Sequence, residues 1–267
     1  MRVAIGGFGA IGKVLAEALD DGIEGLSLAA VSARDMGRAA AAMAEFATPV
    51  PVMSLGELWE EADIVVECAP AKHLRTIAEP ALTNGRILVA LSCGALLDHF
   101  DLVDLARAHD GRILVPTGAL IGLDAVQAAA LGGGIRSVQM ITRKPPGGLD
   151  GAPYLVDHAI DVSGLNAAKL VFTGNAREAA RGFPANVNVA AALALAGIGP
   201  ERTMIEIWAD PAVSRNIHRI EVEADAARFS MQIENVPSLE NPRTGRLTPL
   251  SVIALLRKLT SPLAIGT

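Results

Sequence analysis

The sequence predicts an α/β chain: a doubly wound parallel sheet, then a second α+β domain with a mostly antiparallel open sheet. Three observations carry this. A glycine-rich turn follows the first apolar run. Short continuous apolar runs then alternate with helical stretches as far as Pro116. Beyond Gly132-Gly133-Gly134 the runs alternate polar and apolar residues, the mark of strands with one covered face.

Arg2-Val3-Ala4-Ile5-Gly6 reads as a strand, and Gly7, Gly9 and Gly12 form G-x-G-x-x-G, with Ala10 and Ile11 between the last two. The first glycine permits a tight turn. The second lets backbone approach a pyrophosphate, and the third lets the next helix pack on the strand. That helix, Lys13 to Leu19, offers its free N–H groups and positive dipole end to phosphates. With a second strand, Leu26 to Val31, at βαβ distance, the pattern marks a Rossmann-type site for NAD or NADP. The next loop, Ser32-Ala33-Arg34-Asp35, is mixed. An acidic residue there holds the ribose hydroxyls of NAD, whereas Arg34 suits the 2′-phosphate of NADP.

A helix is expected over Gly37–Phe46, then an extended Val50-Pro51-Val52. Ser54 and Glu57 have capping-box spacing at a helix start. Asp63–Pro70, Arg86–Ser92 and Arg112–Pro116 read as buried strands, separated by helices over Ala71–Thr83 and Asp98–His109. Right-handed crossovers place every loop after a strand's carboxyl end on one edge. The loops at Gly7–Gly12, Ser32–Asp35, Cys68–Lys72, Ser92–Ala95 and Thr117–Ala119 therefore converge.

Composition narrows the function classes. The hydrophobic fraction is 51%, aromatics are 3% and the net charge is −6. A large aliphatic core is affordable, but neither a basic patch nor a stacking surface for nucleic acid is present. No apolar run is long enough to span a membrane. Cys68 and Cys93 lack zinc-site spacing and read as small buried hydrophobes, so no metal is expected. With no leader visible before Arg2, the expected compartment is the cytoplasm.

In the second half, Ile135–Arg143, Thr203–Asp210, His218–Ala224 and Ala227–Glu234 alternate as half-buried strands, with helices at Ala176–Arg181 and Val187–Ala196 as their cover. The other face of such a sheet needs a partner, and a second subunit is the economical choice. The apolar helix Thr248–Leu259 is expected to return to the first domain. The division is thus 1–118, completed by 241–267, and 119–240.

Four stretches there are richer in polar detail than a scaffold requires. Arg143-Lys144-Pro145-Pro146 offers two cations to a carboxylate, or a solvated strand end. Asn186 and Asn188 lie two apart at a helix start; capping accounts for one, and a nicotinamide carboxamide or substrate suits the other. His218 follows Arg215 and Asn216, a cation and a donor suited to an anionic substrate, and imidazole exchanges protons near neutrality. Arg243 and Arg246 flank a Thr-Gly turn, as carboxylate partners or as a polar turn.

Together these stretches resemble the L-aspartate dehydrogenases. The similarity runs through Gly6–Gly12, Pro116-Thr117-Gly118-Ala119, Arg143–Pro146, Phe183–Ala191, Asp210–His218 and Asn241–Thr248, in the family's order. Asn-Val-Asn-Val-Ala-Ala and Arg-Asn-x-His are its most specific parts. The resemblance implies NAD(P)-dependent conversion of L-aspartate to oxaloacetate and ammonia through iminoaspartate, which also feeds quinolinate synthesis in NAD biosynthesis. It implies a homodimer, His218 as the catalytic residue, and cofactor contacts at Ala119, Asn188 and Asn186. The substrate's two carboxylates would draw on Arg143, Lys144, Arg215, Arg243 and Arg246, with Asn216 as a donor; the sequence does not choose among them. The competing readings are another two-domain oxidoreductase, of the dihydrodipicolinate reductase or homoserine dehydrogenase type, and a non-catalytic nucleotide sensor. The reductase's paired histidines with a following lysine are missing, and a sensor has no need of His218 with its neighbours.

Overall fold

The structure, a computed structural model, describes residues 1–132, 134–184, 188–238 and 245–266. It divides into two compact units: Met1–Pro116 with Thr248–Ile265, and Thr117–Leu247 with Gly266.

The first unit alternates β1 (Arg2–Gly6), α1 (Ala10–Asp20), β2 (Ser27–Ser32), α2 (Met36–Met43), α3 (Leu58–Glu61), β3 (Ile64–Glu67), α4 (Leu74–Thr83), β4 (Ile87–Ala90), α5 (Cys93–Asp98), α6 (Asp101–Ala108) and β5 (Arg112–Leu114). The strands form one sheet in the order β2-β1-β3-β4-β5, every pairing parallel. β1 and β3 are buried almost throughout, because helices cover both faces of a doubly wound sheet. The extended segment at Val52 bridges to Val31 at the sheet's edge.

Two expectations change here. The predicted helix Asp98–His109 is α6, which starts three residues later, and a separate short helix, α5, precedes it across His99-Phe100. α5 buries Leu96 and Leu97, and α6 buries Leu102 and Ala106. At 100° per residue one straight helix would turn Leu102 away from the face that Leu96 and Leu97 occupy, so the break lets both pairs bury. The Ser54–Glu57 pair forms, but not as a cap. The Ser54 hydroxyl donates to the Glu57 carboxylate at 2.6 Å, and α3 starts only at Leu58 without a side-chain cap.

The second unit contains α7 (Leu123–Leu131), β6 (Ile135–Lys144), α8 (Pro153–Asp157), β7 (Lys169–Asn175), α9 (Ala176–Gly182), α10 (Asn188–Ala196), β8 (Thr203–Ala209), β9 (Ile217–Ala224) and β10 (Arg228–Glu234). Its sheet order is β10-β9-β6-β8-β7, antiparallel except for the parallel pair β6–β8. The strand β7 and the helices α7 and α8 are additions to the sequence reading. Asn175 and Glu178 form a reciprocal capping box that starts α9 directly from β7.

Alternation along β6 buries Val138, Met140, Thr142 and Lys144, and along β9 His218, Ile220 and Val222. In the antiparallel register Val138 meets Val222, Met140 meets Ile220, and Thr142 meets His218. The covered face is thus apolar at one end and polar at the other. Its far side carries Gln139, Glu206, Arg143, Trp208, Arg219 and Glu221, joined in part by hydrogen bonds and ion pairs among themselves.

The final helix, α11 (Leu247–Thr260), buries Val252 and Leu256 in the same cluster as Val3, Ile5, Leu15 and Ile64 of the first unit. Two such side chains contribute about 1.5–3 kcal/mol each relative to exposure. The Thr260 hydroxyl donates to the Glu24 carbonyl at 2.7 Å, closing the helix's far end onto that unit. Among the described residues no helix is long and apolar enough to cross a membrane.

Candidate active site

In the first unit, the turn after β1 is shaped by what a side chain would strike. Gly7 has φ +120, and a Cβ there would lie 2.7 Å from the Cys68 carbonyl oxygen. A Cβ on Gly12 would drive into the Gly7 carbonyl oxygen. At Gly9, by contrast, a Cβ meets nothing within 4 Å. Ala10 and Ile11 open α1, whose first turn carries no acidic residue and whose cap residue, Gly9, makes no side-chain bond. Two glycines bring backbone together, the third leaves open space, and the helix's first N–H groups carry no side-chain cap. This cradle fits a pyrophosphate.

The loop after β2 is less ambiguous than its sequence. Asp35 accepts the Arg38 N–H at 3.0 Å and caps α2, while Arg34 is exposed. The Gly7 N–H donates to the Ser32 carbonyl at 3.1 Å, tying the glycine turn to the end of β2.

A buried carboxylate braces the neighbouring strand ends. Glu67, fully buried at the end of β3, accepts the Leu91 and Ser92 N–H groups at 3.1 and 2.8 Å and the Ser92 hydroxyl at 2.9 Å. Burial raises its pKa, opposed by these bonds. The sequence reading did not single out Glu67. Cys68 donates to the Gly7 carbonyl at 3.2 Å, and burial pushes the Cys93 thiol up to about 12, so neither is an activated nucleophile.

In the second unit, the polar end of the covered face gathers the groups with chemistry. His218 is 2% exposed and Lys144 4%. Thr142, 3% exposed, stands opposite His218, with its Oγ1 3.0 Å from Nδ1 of the ring. Burial first, then the Lys144 charge, pushes the His218 pKa down to about 3. Burial pushes the Lys144 ammonium down to about 8. At neutral pH the pair is therefore an uncharged imidazole beside a predominantly charged amine.

Arg143 goes the other way. Successive strand residues face opposite sides. Its guanidinium donates to the Asp210 carboxylate at 2.9 Å and lies 5.0 Å over the Trp208 ring. Asp210 also accepts the Ala212 N–H at 2.9 Å, so the Asp-Pro turn after β8 is held by the same carboxylate. The Arg143 side chain is thus committed to that ion pair and stack, on the face away from His218.

The remaining predicted residues are dispersed. Arg215 and Arg246 are exposed, and Asn216 is half-buried, its carbonyl accepting the Asn235 N–H at 2.8 Å. Ala119 lies in the turn closed by the Leu120 N–H on the Thr117 carbonyl at 3.0 Å, where Gly118 has φ +63. Asn188 is the exposed first residue of α10. Asn186 and Arg243 lie outside the described residues. Two contributors have no sequence signature: Thr142, and Asn235, whose Nδ2 donates to the Ala119 carbonyl at 3.0 Å. Of the five histidines, only His218 is buried.

Comparison with known proteins bears on these two regions separately. Residues 124–259 match the family model described as aspartate dehydrogenase, C-terminal. Residues 7–116 match the homoserine dehydrogenase NAD-binding domain. The chain is 60% identical to an L-aspartate dehydrogenase of Bradyrhizobium diazoefficiens, covering all of this chain and 94% of that one. It is 42% identical to an L-aspartate dehydrogenase of Methanosarcina mazei over the whole of both chains. Among solved structures it is similar to aspartate dehydrogenase from Thermotoga maritima, with TM-score 0.78 and 26% identity over 100% of this chain and 99% of the other. An archaeal homoserine dehydrogenase bound to NADPH shares the fold, at TM-score 0.60 and 13% identity over 99% of each chain. The chain belongs to the L-aspartate dehydrogenase family of NAD(P)-dependent oxidoreductases.

Proposed function

We propose that the protein is a cytoplasmic, homodimeric L-aspartate dehydrogenase. It converts L-aspartate, NAD(P)+ and water to oxaloacetate, ammonium, NAD(P)H and a proton, reversibly and through iminoaspartate. The observation that carries this reading is the pair His218–Lys144 at the polar end of a face that is otherwise apolar. Iminoaspartate drawn off before hydrolysis would serve quinolinate synthesis.

The bound nicotinamide supplies the acceptor for the hydride leaving Cα. Gly7, Gly9, Gly12 and the start of α1 hold the dinucleotide, with Ala119, Asn186 and Asn188 as further contacts and Arg34 toward a 2′-phosphate. His218 takes a proton from the substrate ammonium and releases it to solvent, the net proton of the reaction. It then takes a proton from the water adding to Cα and delivers it to the nitrogen. As the C–N bond breaks and the carbonyl forms, the remaining hydroxyl proton passes to the departing ammonia, giving ammonium.

Lys144 receives a substrate carboxylate. Burial first and the Lys144 charge second hold the His218 pKa down to about 3. A carboxylate seated on Lys144 offsets the second and smaller cause, so substrate binding raises the pKa of His218 in part while burial still holds it below the ordinary value. Arg215 and Asn216, in the loop entering β9, and Arg243 remain candidates for the second carboxylate. Arg143 acts instead by holding Asp210. The half-exposed far face of the second sheet, with Trp208, Met204 and Leu170, serves the second subunit.

The test is an absorbance assay with oxaloacetate, ammonium, and NADH or NADPH. Ammonium-dependent oxidation of a cofactor supports the reading, and its absence with both overturns it.

A further inference from the structure

The contact between Thr142 and His218 joins two side chains that face each other across the β6–β9 register, each buried. A threonine hydroxyl has one proton to donate and lone pairs to accept with. Two arrangements are possible. If the hydroxyl donates to Nδ1, the ring proton sits on Nε2 and no lone pair is left to take another without breaking the contact. If Nδ1–H donates to Oγ1, the Nε2 lone pair is open. Protonation there leaves the contact intact and makes it charge-assisted. Only the second arrangement survives a full cycle of proton uptake and release.

We infer that Thr142 is a positioning residue that accepts the Nδ1–H of His218, so that Nε2 is the atom exchanging protons with substrate and water. This rests on the reading of His218 as the acid–base group. The choice of partner has a physical consequence. A carboxylate at this point would fix the ring equally well, but would place a negative charge beside the amine that receives an anionic substrate. A hydroxyl orients the ring without adding a charge beside Lys144.

The test compares Thr142→Ser, which keeps the hydroxyl, with Thr142→Val, which keeps the branched shape and removes it. Nitrogen-15 NMR of histidine-labelled wild-type enzyme at pH 7.5 should show His218 protonated on Nδ1. Thr142→Ser should retain that tautomer and turn over within about threefold of wild type. Thr142→Val should lose roughly tenfold or more in kcat with KM for aspartate little changed, a part of the 10²–10⁴ that a placed base supplies. A wild-type ring protonated on Nε2, or Thr142→Val with unchanged kcat, overturns the inference. The wild-type spectrum decides even if Thr142→Val fails to fold. His218→Gln separates the two levels: full activity in that variant sinks the acid–base reading itself, whereas an inactive His218→Gln beside a fully active Thr142→Val sinks only the role of Thr142.

Discussion

Asn235 donates from Nδ2 to the Ala119 carbonyl at 3.0 Å, while its Oδ1 is buried with no partner among the described residues. The contact ties the turn before α7 to the strand end two residues beyond Ile233, the register partner of His218. An amide with one satisfied and one orphaned end is a small expense of stability placed at a turn that must be held.

Asn235→Ala should therefore loosen the Ala119 turn more than it unfolds the protein. We expect a stability change of no more than about 1–2 kcal/mol, since a hydrogen bond is lost and an orphaned acceptor is removed with it. KM for the dinucleotide should rise several-fold. Urea denaturation and cofactor titration by fluorescence check the two parts. An unchanged KM would mean that the turn holds without Asn235.

Lys144→Met should separate binding from folding. The folded pKa of Lys144 is depressed from 10.5 to about 8, so its charge is disfavoured in the native state. That cost is full below pH 8 and disappears as pH rises toward 10.5, because only the unfolded chain holds the proton between those values. Met of similar length removes the cost, so the melting temperature should hold or rise. KM for aspartate should increase by about tenfold or more with the loss of a buried charge–carboxylate contact. A variant that melts much lower with unchanged KM would contradict both halves.

His218 should impose an acid limit on stability. Its folded pKa, about 3, lies below the ordinary 6.5, so between these values the unfolded chain binds a proton that the native chain refuses. The stability associated with neutral His218 is complete above pH 6.5 and falls as pH decreases toward 3. Each pH unit well inside that window costs about 1.4 kcal/mol. Urea midpoints at pH 7 and pH 5 should drop more for wild type than for His218→Gln. Parallel drops would show that groups other than His218 carry the acid sensitivity. Glu67, whose pKa burial raises, is not one of them, because the native state holds its proton more readily than the unfolded chain does.

The glycine turn offers a graded test. Gly9→Ala should fold like wild type, because its Cβ meets open space, yet weaken NAD(P)H binding by crowding the pyrophosphate. Gly12→Ala should fold poorly or shift α1, since its Cβ meets the Gly7 carbonyl. Thermal melts with and without cofactor check both; a Gly9→Ala protein with intact cofactor affinity would place the phosphates elsewhere.

The architecture was largely legible because its signals are local. Continuous apolar runs marked β1, β3 and β4, and alternation marked β6, β8, β9 and β10. The elements that escaped lack such periodicity. β7 joins a continuous Leu170-Val171-Phe172 run to Gly174, and α7 is an Ala-rich helix apolar on nearly every side. The break between α5 and α6 also needed three dimensions, since it follows from which residues reach the sheet.

By itself the sequence determined the glycine cradle, the alternation of two sheets, and a short list of polar groups that includes His218. Tertiary structure decided among them. Arg143 and Lys144 are neighbours in the chain and equal candidates as cations, but a strand turns successive side chains to opposite faces. Register and cover then bury Lys144 on the His218 face and leave Arg143 to Asp210 and Trp208. Thr142 and Asn235 carry no motif at all. Their roles arise from pairing across strands and loops, where burial makes each hydrogen bond obligatory and so makes a common side chain a specific one.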